Sequence, residues 1–350
     1  MKYFDYSATT PVRSEVLEEF KNYFNVVGSD ELYDIEKENI SNILETDKEI
    51  IFTSGSTESN NMAIKGVLLK YNEPGYHIIT TKLEHSSVKE TLSFFEKKGF
   101  IIDYVDLVDG VVDLKSLKKL ICEKTVLVTI CAVDSEIGLL QPINDIGLLL
   151  KEYADIVFHC DMTQSIGKVN IDFNNVDLIS FSSHKIYGIK GIGCLLKNKD
   201  LFLIPIMYGE RTYNYALIKS FVKALNISIC NLEKNYEYIL KLNLYLREKL
   251  SSFDNIVINS NHNSIPHILN ISVLNYKPET FLHFVELDDF YISTKSACSS
   301  NNDYSISVYS LCNDMKRAQT SVRISLSYLN YYEDIDNFIE FIKKGSDFNE

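Results

Sequence analysis

Short apolar runs alternate along this chain with segments whose apolar residues recur at helical spacing. Each run holds four to six residues, the length of a buried strand, and a polar turn or a helical segment follows it. The predicted strands are Glu49–Phe52, His77–Thr80, Ile101–Val105, Val126–Cys131, Ile156–Cys160, Leu178–Phe181 and Ile192–Leu196, and the helices between them are Met62–Leu69, Ser87–Lys98, Leu114–Glu123 and Ile143–Tyr153. This alternation predicts an α/β fold with a mostly parallel sheet covered by helices on both faces.

Further elements are predicted on both sides of this alternation. Near the start, Ser14–Phe24 has helical spacing with Ser14 as its N-cap, and Glu31–Leu44 is amphipathic. Later in the chain come a mostly helical stretch at Tyr213–Leu250, strands at Ile265–Val273 and Val322–Leu326, and helices at Pro278–Val285 and Tyr332–Lys344. We expect the long helical stretch to link two lobes, since 350 residues are enough for about two domains.

Composition is that of an ordinary globular enzyme, and the charge balance excludes some partners. The chain has 45% hydrophobic and 24% charged residues. Its 35 basic and 48 acidic residues give a net charge of −13, which disfavours direct nucleic-acid binding because phosphate contacts need clustered Lys and Arg. No apolar run approaches the roughly 20 residues that span a bilayer, so we expect no membrane association.

The seven cysteines do not have the pattern of a disulfide or metal scaffold. Their number is odd, no CxxC motif occurs, and several, such as Cys122 and Cys131, belong to apolar runs. We therefore expect no structural metal site and a reducing, cytoplasmic location. The first residues, Met1–Asp5, lack the apolar segment of a signal peptide, which fits that expectation.

Polar side chains stand just past the carboxyl ends of several predicted strands, where ligands bind in an α/β sheet. They are Ser56 and Thr57, His85, Asp134, Asp161, Gln164 and Lys185. In the stretch Ser180–Gly188, Lys185 stands beside His184 and two serines, directly after a buried strand. In such surroundings, desolvation and nearby positive charge lower the pKa of an ammonium group and free the amine to attack a carbonyl. For this residue alone, a lysine that only extends from a loop is the alternative.

Taken together, these residues match the requirements of a pyridoxal phosphate (PLP) site. The cofactor needs a lysine for its aldehyde, an acid facing the ring nitrogen, donors for its phosphate and a flat group against the ring. Lys185 supplies the amine and Asp161 the acid; His85 can stack on the ring, and Gln164 can donate to the ring oxygen. The phosphate donors are Ser56, Thr57, Ser182 and His184. For Asp161 alone, a cap of the following turn is the better interpretation, so it is the joint placement at strand ends that favours the cofactor site.

Several motifs resemble those of the cysteine desulfurases, which belong to the class V aminotransferase family of type I PLP enzymes. They are Thr53–Asn61, Glu84-His85, Glu136–Gly138, His159–Lys168, Ser180–Gly193 and Ser296–Ser300, in unbroken order between Phe4 and about Ile342. The resemblance implies a large PLP-binding domain over 12–238, with a mostly parallel seven-stranded sheet between helices. It also implies a smaller α+β domain formed by 1–11 and 239–350, which carries the long loop of Cys298, as in group I of these enzymes.

The resemblance further implies a reaction and a role for each site residue. Lys185 holds the cofactor and moves protons, and His85 assists the acid–base steps. Cys298 attacks the sulfur of cofactor-bound L-cysteine, takes a persulfide and leaves L-alanine. Arg323 binds the substrate carboxylate, and the position of Asp134 contacts both that carboxylate and the ring oxygen. The implied partners are a sulfur-acceptor protein, either an iron–sulfur scaffold or a tRNA-thiolation enzyme, and a second copy in a homodimer.

The sequence around Cys298 favours the same role. It is the one cysteine set among small, mostly polar residues, in Ser296–Ser300, and Lys295 nearby would help its thiolate to form. Outside the PLP context, an ordinary surface cysteine would be an equal alternative.

Four departures from the family pattern bear on activity and assembly. Asp134 and Ser135 replace two asparagines, and an ionised Asp134 would repel the ring oxygen and the substrate carboxylate unless it is protonated, turned away or compensated. The turn at 26–30 differs. The segment at 208–214 is a reduced form of the family's glycine-rich stretch ending in Arg-x-Gly-Thr, whose threonine in the family reaches the phosphate of the neighbouring subunit. The remaining replacements, of a glycine and a proline beside the site lysine, are Ser183 and Ile189.

Two alternatives to a working cysteine desulfurase stay open from the sequence. One is another PLP enzyme of the same fold, such as a selenocysteine lyase. The other is a paralogue with weak or no turnover that serves as a scaffold for sulfur-transfer proteins, which Asp134 and the altered loops favour.

Overall fold

The structure is a computed structural model that describes residues 2–209, 212–274, 276–294 and 303–346. In these ranges the strands are β1 (Lys2–Tyr3), β2 (Glu49–Thr53), β3 (His77–Thr80), β4 (Ile101–Tyr104), β5 (Leu107–Val108), β6 (Val111–Val112), β7 (Thr125–Thr129), β8 (Val157–Asp161), β9 (Leu178–Ser182), β10 (Gly193–Lys197), β11 (Ile256–Ile258), β12 (Ile268–Val273), β13 (Phe290–Tyr291) and β14 (Ser321–Ser325). The helices are α1 (Ser14–Tyr23), α2 (Asp30–Leu44), α3 (Ser56–Leu68), α4 (Ser86–Glu96), α5 (Leu114–Leu120), α6 (Ile143–Leu150), α7 (Tyr215–Cys230), α8 (Leu232–Leu250), α9 (Pro278–Glu286), α10 (Ile306–Cys312), α11 (Met315–Gln319) and α12 (Tyr332–Ser346).

The chain divides into two units, and the larger one contains the main sheet. This unit comprises Thr10–Val133 and Gln141–Leu232. Its sheet has seven strands in the order β2-β10-β9-β8-β7-β3-β4. Strands β9, β8, β7, β3 and β4 are mutually parallel, whereas β10 is antiparallel to both of its neighbours, β2 and β9. The expected α/β fold with a mostly parallel seven-stranded sheet is therefore confirmed.

Helices cover both faces of this sheet because successive residues of each strand point to opposite sides. On one face, strand residues such as Ile79 and Phe158 pack into a core that α2, α6 and α7 complete. On the other face, neighbouring residues such as Ile78 and Leu127 pack against α3 and α4. Both layers are buried, as the near-continuous apolar strand sequences predict.

The smaller unit comprises Met1–Thr9, Asp134–Leu140 and Glu233–Glu350. It has a three-stranded antiparallel sheet in the order β11-β12-β14 and a parallel pair formed by β1 and β13. Side chains from α8, α9 and α12 bury one core with these strands, including Leu246, Phe281 and Phe338. In the ranges that the structure describes, no helix is long and apolar enough to cross a membrane.

Some local predictions were wrong. Arg13 is the N-cap of α1, and the Ser14 hydroxyl donates to the Glu15 carboxylate instead of capping the helix. The mostly helical stretch predicted over 213–250 is confirmed, as two helices that meet at Asn231. The hairpin of β5 and β6 was not predicted, because strands of two residues leave no periodic signal.

Candidate active site

The predicted lysine, acid and histidine of the larger unit all lie at the carboxyl ends of its parallel strands. Lys185 closes a 3₁₀ turn, Ser183–Lys185, that follows β9 directly. Asp161 is the last residue of β8, whereas the predicted strand ended at Cys160 and placed Asp161 just past it. His85 follows β3 as the N-cap of α4. The charges of Asp161 and Lys185 both act on the pKa of His85, so the structure brings these three residues together.

Asp161 is a buried carboxylate with a donor on each oxygen. The Asn60 amide donates to Oδ2 over 2.7 Å, and the backbone N–H of Thr163 donates to Oδ1 over 3.0 Å. The residue is 6% exposed. These two hydrogen bonds fix the direction of the carboxylate.

Asn60 was missed as a site residue, although it belongs to the motif Thr53–Asn61. It is fully buried on α3, and its amide donates both to Asp161 and to the Ser87 hydroxyl, the latter over 2.9 Å. The Ser87 hydroxyl in turn lies 2.8 Å from His85 Nδ1. A buried asparagine on an otherwise apolar helix face is the sequence signal that could have identified it.

The ring of His85 is held by the helix that it caps. Its Nδ1 accepts from the backbone N–H of Ser87 over 3.2 Å, which assigns the proton of the neutral ring to Nε2. Burial lowers the pKa of His85, the positive charge of Lys185 acts in the same direction, and the negative charge of Asp161 opposes both. The ring is therefore neutral at pH 7, which suits a stacking group that also exchanges protons.

Glu84, directly before His85, ties the end of β3 to the chain that follows β7. Its Oε1 accepts from the backbone N–H of Cys131 over 2.8 Å and from the Thr81 hydroxyl over 2.7 Å. Its Oε2 is buried with no hydrogen-bond partner among the described residues. Burial raises the pKa of Glu84 to about 7, and the charge of Asp161 adds to the rise. Glu84 was named only as part of the motif Glu84-His85, and no role of its own was predicted for it.

The turn between β2 and α3 has the form of an anion site. Gly55 has φ +154°, and a Cβ on Gly193 would lie 2.6 Å from the Gly55 Cα, so both positions need glycine. The Ser56 backbone N–H donates to Ser182 Oγ over 2.6 Å, and because Ser182 accepts this bond, its hydroxyl can still donate. Ser56 and Thr57 open α3, whose N-terminus favours an anion.

His184 belongs to the same group of predicted phosphate donors. Its backbone carbonyl accepts from the backbone N–H and from the hydroxyl of Thr10, both over 3.0 Å, which fixes the turn before Lys185. Burial lowers the pKa of His184 to about 4, and the charges of Lys185, Lys190 and Lys168 add to this effect. At pH 7 the ring is a neutral group that can donate one N–H.

Gln164 is oriented by a neighbouring lysine. The Lys168 ammonium donates to Gln164 Oε1 over 2.7 Å, and both side chains are buried. With its oxygen facing a cation, the amide has its N–H₂ as the end that can donate elsewhere. This orientation is the one that the predicted bond to a ring oxygen requires.

Asp134 lies in the smaller unit, where its carboxylate holds a turn. Oδ2 accepts from the backbone N–H groups of Glu136 over 3.1 Å and Ile137 over 2.5 Å, and Oδ1 accepts from the Ser307 hydroxyl over 3.0 Å. The residue is 1% exposed. The sequence left three ways to tolerate an ionised Asp134: protonation, rotation away from the site, or compensation of its charge. These three donors provide compensation.

Arg323, also in the smaller unit, is a buried guanidinium with one unfilled donor. Its Nη2 pairs with Asp5 Oδ1 over 2.7 Å, and its Nη1 donates to the Ser135 carbonyl over 2.9 Å. Its Nε is buried without a hydrogen-bond partner among the described residues. A buried donor of this kind calls for a ligand, and a carboxylate is the group that a guanidinium edge fits. Cys298 and Lys295 lie outside the described residues.

The residues of the larger unit fit the chemistry of pyridoxal phosphate. They supply a primary amine, a carboxylate with fixed direction, a flat neutral ring, and hydroxyl and N–H donors at a helix N-terminus. The Asp161 carboxylate and the predicted phosphate donors lie at the ends of different strands. A cofactor whose ring nitrogen and phosphate are at separate positions requires this separation. Within the described ranges, no group of three or more His, Cys, Asp or Glu side chains could hold a metal ion.

Comparisons with known proteins point in one direction. The class V aminotransferase family model matches residues 2–211 and 203–338. The chain is 36% identical over 369 residues to the cysteine desulfurase IscS of Dictyoglomus turgidum, covering 98% of this chain and 93% of the relative. It is also 36% identical over 378 residues to the cysteine desulfurase IscS of Vibrio cholerae serotype O1, covering 99% and 92%.

Solved structures with a similar fold include two NifS-like proteins. One has a TM-score of 0.91 at 30% identity and covers 99% of both chains. The other, from Rickettsia africae, has a TM-score of 0.85 at 26% identity and covers 99% of both chains. A third, SspA in complex with cysteine, has a TM-score of 0.78 at 30% identity and covers 93% of this chain and 99% of the other.

Proposed function

Because this chain belongs to the class V aminotransferase family, we propose that it is a PLP-dependent cysteine desulfurase, which converts L-cysteine to L-alanine and forms a persulfide on Cys298. The observation that carries the proposal is the grouping of Lys185, Asp161 and His85 at one edge of the sheet, with Asn60 bonded to the acid. The names of its relatives support the choice of reaction within the family.

The residues that would hold the cofactor have distinct tasks. Lys185 would bind the aldehyde through Nζ, Asp161 would face the ring nitrogen, and His85 would lie against the ring. Gln164 would donate to the ring oxygen. The phosphate would be bound by Ser56, Thr57, Ser182 and His184. When bound, PLP supplies an electron-withdrawing ring that stabilises negative charge on the substrate's α-carbon.

The remaining steps belong to this chain's own groups. Lys185 Nζ, once free, would take a proton from the substrate and return one to the product, and His85 Nε2 would exchange protons beside it. Arg323 would bind the substrate carboxylate through its unfilled Nε. The Cys298 thiolate would attack the substrate sulfur, so that a new S–S bond forms as the C–S bond breaks and alanine remains.

The proposal extends to the persulfide's acceptor and to assembly. A sulfur-acceptor protein of iron–sulfur cluster assembly or tRNA thiolation would take the sulfur from Cys298 in the cytoplasm. We also propose that the protein forms a homodimer. We further propose that Asp134 lies near the ring oxygen and the substrate carboxylate, where the three donors to its own carboxylate would compensate its charge.

The test is product formation by the purified holoprotein with L-cysteine and a reductant. We expect sulfide and alanine in equal amounts, and Cys298→Ser should lower sulfide release at least about a hundredfold. Cys230→Ser, which removes a cysteine that is exposed in the structure, is the matched control and should keep the parent rate. Mass spectrometry after a single turnover should find one added sulfur on the peptide of Cys298. A Cys298→Ser protein as active as its parent would refute the mechanism, and turnover restricted to selenocysteine would redirect it to a lyase.

A further inference from the structure

A second cluster of reactive groups lies at the amino ends of the parallel strands, at the opposite edge of the sheet from the candidate active site. It consists of Cys122, Thr125, His77 and Asp103. His77 opens β3 and is the register partner of Thr125, the first residue of β7. Asp103 lies on β4, the strand on the other side of β3. Three neighbouring strands therefore fix the positions of the acid, the imidazole and the hydroxyl.

The acid, the imidazole, the hydroxyl and the thiol of the cluster lie close enough to one another to pass a proton along. Asp103 Oδ2 lies 3.1 Å from His77 Nε2, and Thr125 Oγ1 lies 2.8 Å from His77 Nδ1. Cys122 Sγ lies 3.7 Å from the same Nδ1 and 3.5 Å from Thr125 Oγ1. The backbone N–H of Cys122 donates to Thr125 Oγ1 over 2.9 Å, which holds the cysteine in place.

The bonding pattern assigns the protons. With Nε2–H donating to Asp103, Nδ1 is the basic nitrogen of His77, and it faces both the thiol and the hydroxyl. Transfer of the thiol proton to Nδ1 creates an imidazolium whose other N–H remains bonded to a carboxylate. The Thr125 hydroxyl then donates to the thiolate. Cysteine, histidine and acid stand in the arrangement that activates a sulfur nucleophile.

The exposure of the cluster suits a reaction with a small molecule in solution. His77 is 3% exposed and therefore held rigidly, whereas Cys122 is exposed and the Asp103 side chain is half-exposed. The buried cysteines are less suited to such a reaction than the exposed Cys122, because burial raises the pKa of the thiols of Cys160 and Cys194.

We propose that Cys122 is a reactive thiol that undergoes exchange with low-molecular-weight disulfides. The Cys122 thiolate attacks one sulfur of a disulfide R–S–S–R, forms the mixed disulfide Cys122–S–S–R and releases R–S⁻, which takes up the proton held by His77. The disulfide is the oxidant: Cys122 is oxidised, one R–S group is reduced to a thiol, and the number of disulfide bonds stays the same. The site would carry a reversible thiol modification separate from the chemistry at Lys185.

The experiment measures the rate of mixed-disulfide formation at each cysteine of the full-length holoprotein. Bis(2-hydroxyethyl) disulfide is a neutral probe, and peptide-resolved mass spectrometry at pH 6.5 distinguishes Cys122 from the other thiols. Cys230 is an internal control, because it is also exposed, and among the described residues its sulfur bonds only to the amide oxygen of Asn226, at 3.6 Å. We expect Cys122 to react at least about fivefold faster than Cys230.

Two variants separate the relay from a general effect of charge. Asp103→Asn should slow the reaction at Cys122, because His77 loses the partner that supports its positive charge. Glu123→Gln removes a negative charge next to Cys122 without touching His77, and it should leave the rate unchanged or raise it. Equal rates at Cys122 and Cys230, or the same direction of change in both variants, would overturn the proposal. Sulfide release from L-cysteine, measured in parallel, should be unchanged in both.

Discussion

The amide of Asn60 donates to Asp161 Oδ2 over 2.7 Å and to the Ser87 hydroxyl over 2.9 Å, so one side chain orients both the acid and the residue that bonds His85. Removal of this amide leaves a buried carboxylate with one donor fewer. Such a loss costs about 1–3 kcal/mol. Asn60 therefore links the acid proposed to face the ring nitrogen with the histidine proposed to lie against the ring.

Asn60→Ala should weaken cofactor retention about tenfold or more and lower the free energy of unfolding by about 2 kcal/mol. The ratio of cofactor absorbance to protein after dialysis measures the first effect, and urea unfolding measures the second. Asn61→Ala is the matched control, because in the part of the chain that the structure describes this neighbouring amide bonds only to Thr57 and Thr91. Equal cofactor content in the two variants would contradict this role.

Glu84 should make the protein less stable as the pH rises. Its pKa is raised from an ordinary value near 4.5 to about 7, so the folded state binds the proton more tightly than the unfolded state does. The stability it contributes is complete below pH 4.5 and is lost as the pH rises to 7, by an amount on the order of 3 kcal/mol.

Glu84→Gln resembles the protonated acid and should remove this part of the pH dependence. Urea unfolding at pH 5 and at pH 8 gives the difference for each protein. Glu90→Gln alters an exposed carboxylate of the same segment and should keep the parent slope. If Glu84→Gln loses as much stability between these pH values as the parent, then Glu84 is not the group responsible.

Asp134→Asn restores the residue that related desulfurases have at this position and should be tolerated. The amide oxygen can still accept from the N–H groups of Glu136 and Ile137, and the amide N–H₂ can donate to Ser307, whose hydroxyl also accepts. We expect a change in unfolding free energy of less than about 1 kcal/mol, against a loss of about 2 kcal/mol for Asp134→Ala. Thermal or urea unfolding distinguishes them, and equal losses would show that the hydrogen bonds contribute little.

Arg323→Lys should raise the KM for L-cysteine about tenfold or more and change kcat less. A single ammonium cannot serve Asp5, the Ser135 carbonyl and a substrate carboxylate together, whereas the guanidinium has donors for all three. Steady-state sulfide release gives both constants. Arg317→Lys, an arginine of the same unit that bonds Asn259, is the control and should keep the parent KM. An unchanged KM in Arg323→Lys would place the carboxylate elsewhere.

The sequence predicted the sheet and the strand-end positions of Lys185, Asp161 and His85, because parallel strands bring their carboxyl ends to one edge. It did not predict the bond from Asn60 to Asp161, since that contact depends on the rotation of α3 over the sheet. The bond from the Ser307 hydroxyl to Asp134 was equally beyond its reach, because Ser307 comes from a distant part of the chain. Local patterns identify elements and their ends, whereas tertiary packing decides which polar groups meet.

The antiparallel strand β10 has a consequence for how the protein is made. In the part of the chain that the structure describes, β2 pairs only with β10, and β10 also joins it to β9. A nascent chain leaving the ribosome therefore carries β2 without a hydrogen-bonded neighbour until Gly193–Lys197 has been synthesised. The strand β10 also lies between β2 and β9, which carries Ser182, the residue that accepts from the Ser56 N–H. The proposed phosphate site is thus assembled late, through a slow pairing of distant segments, after the other strands have had time to associate.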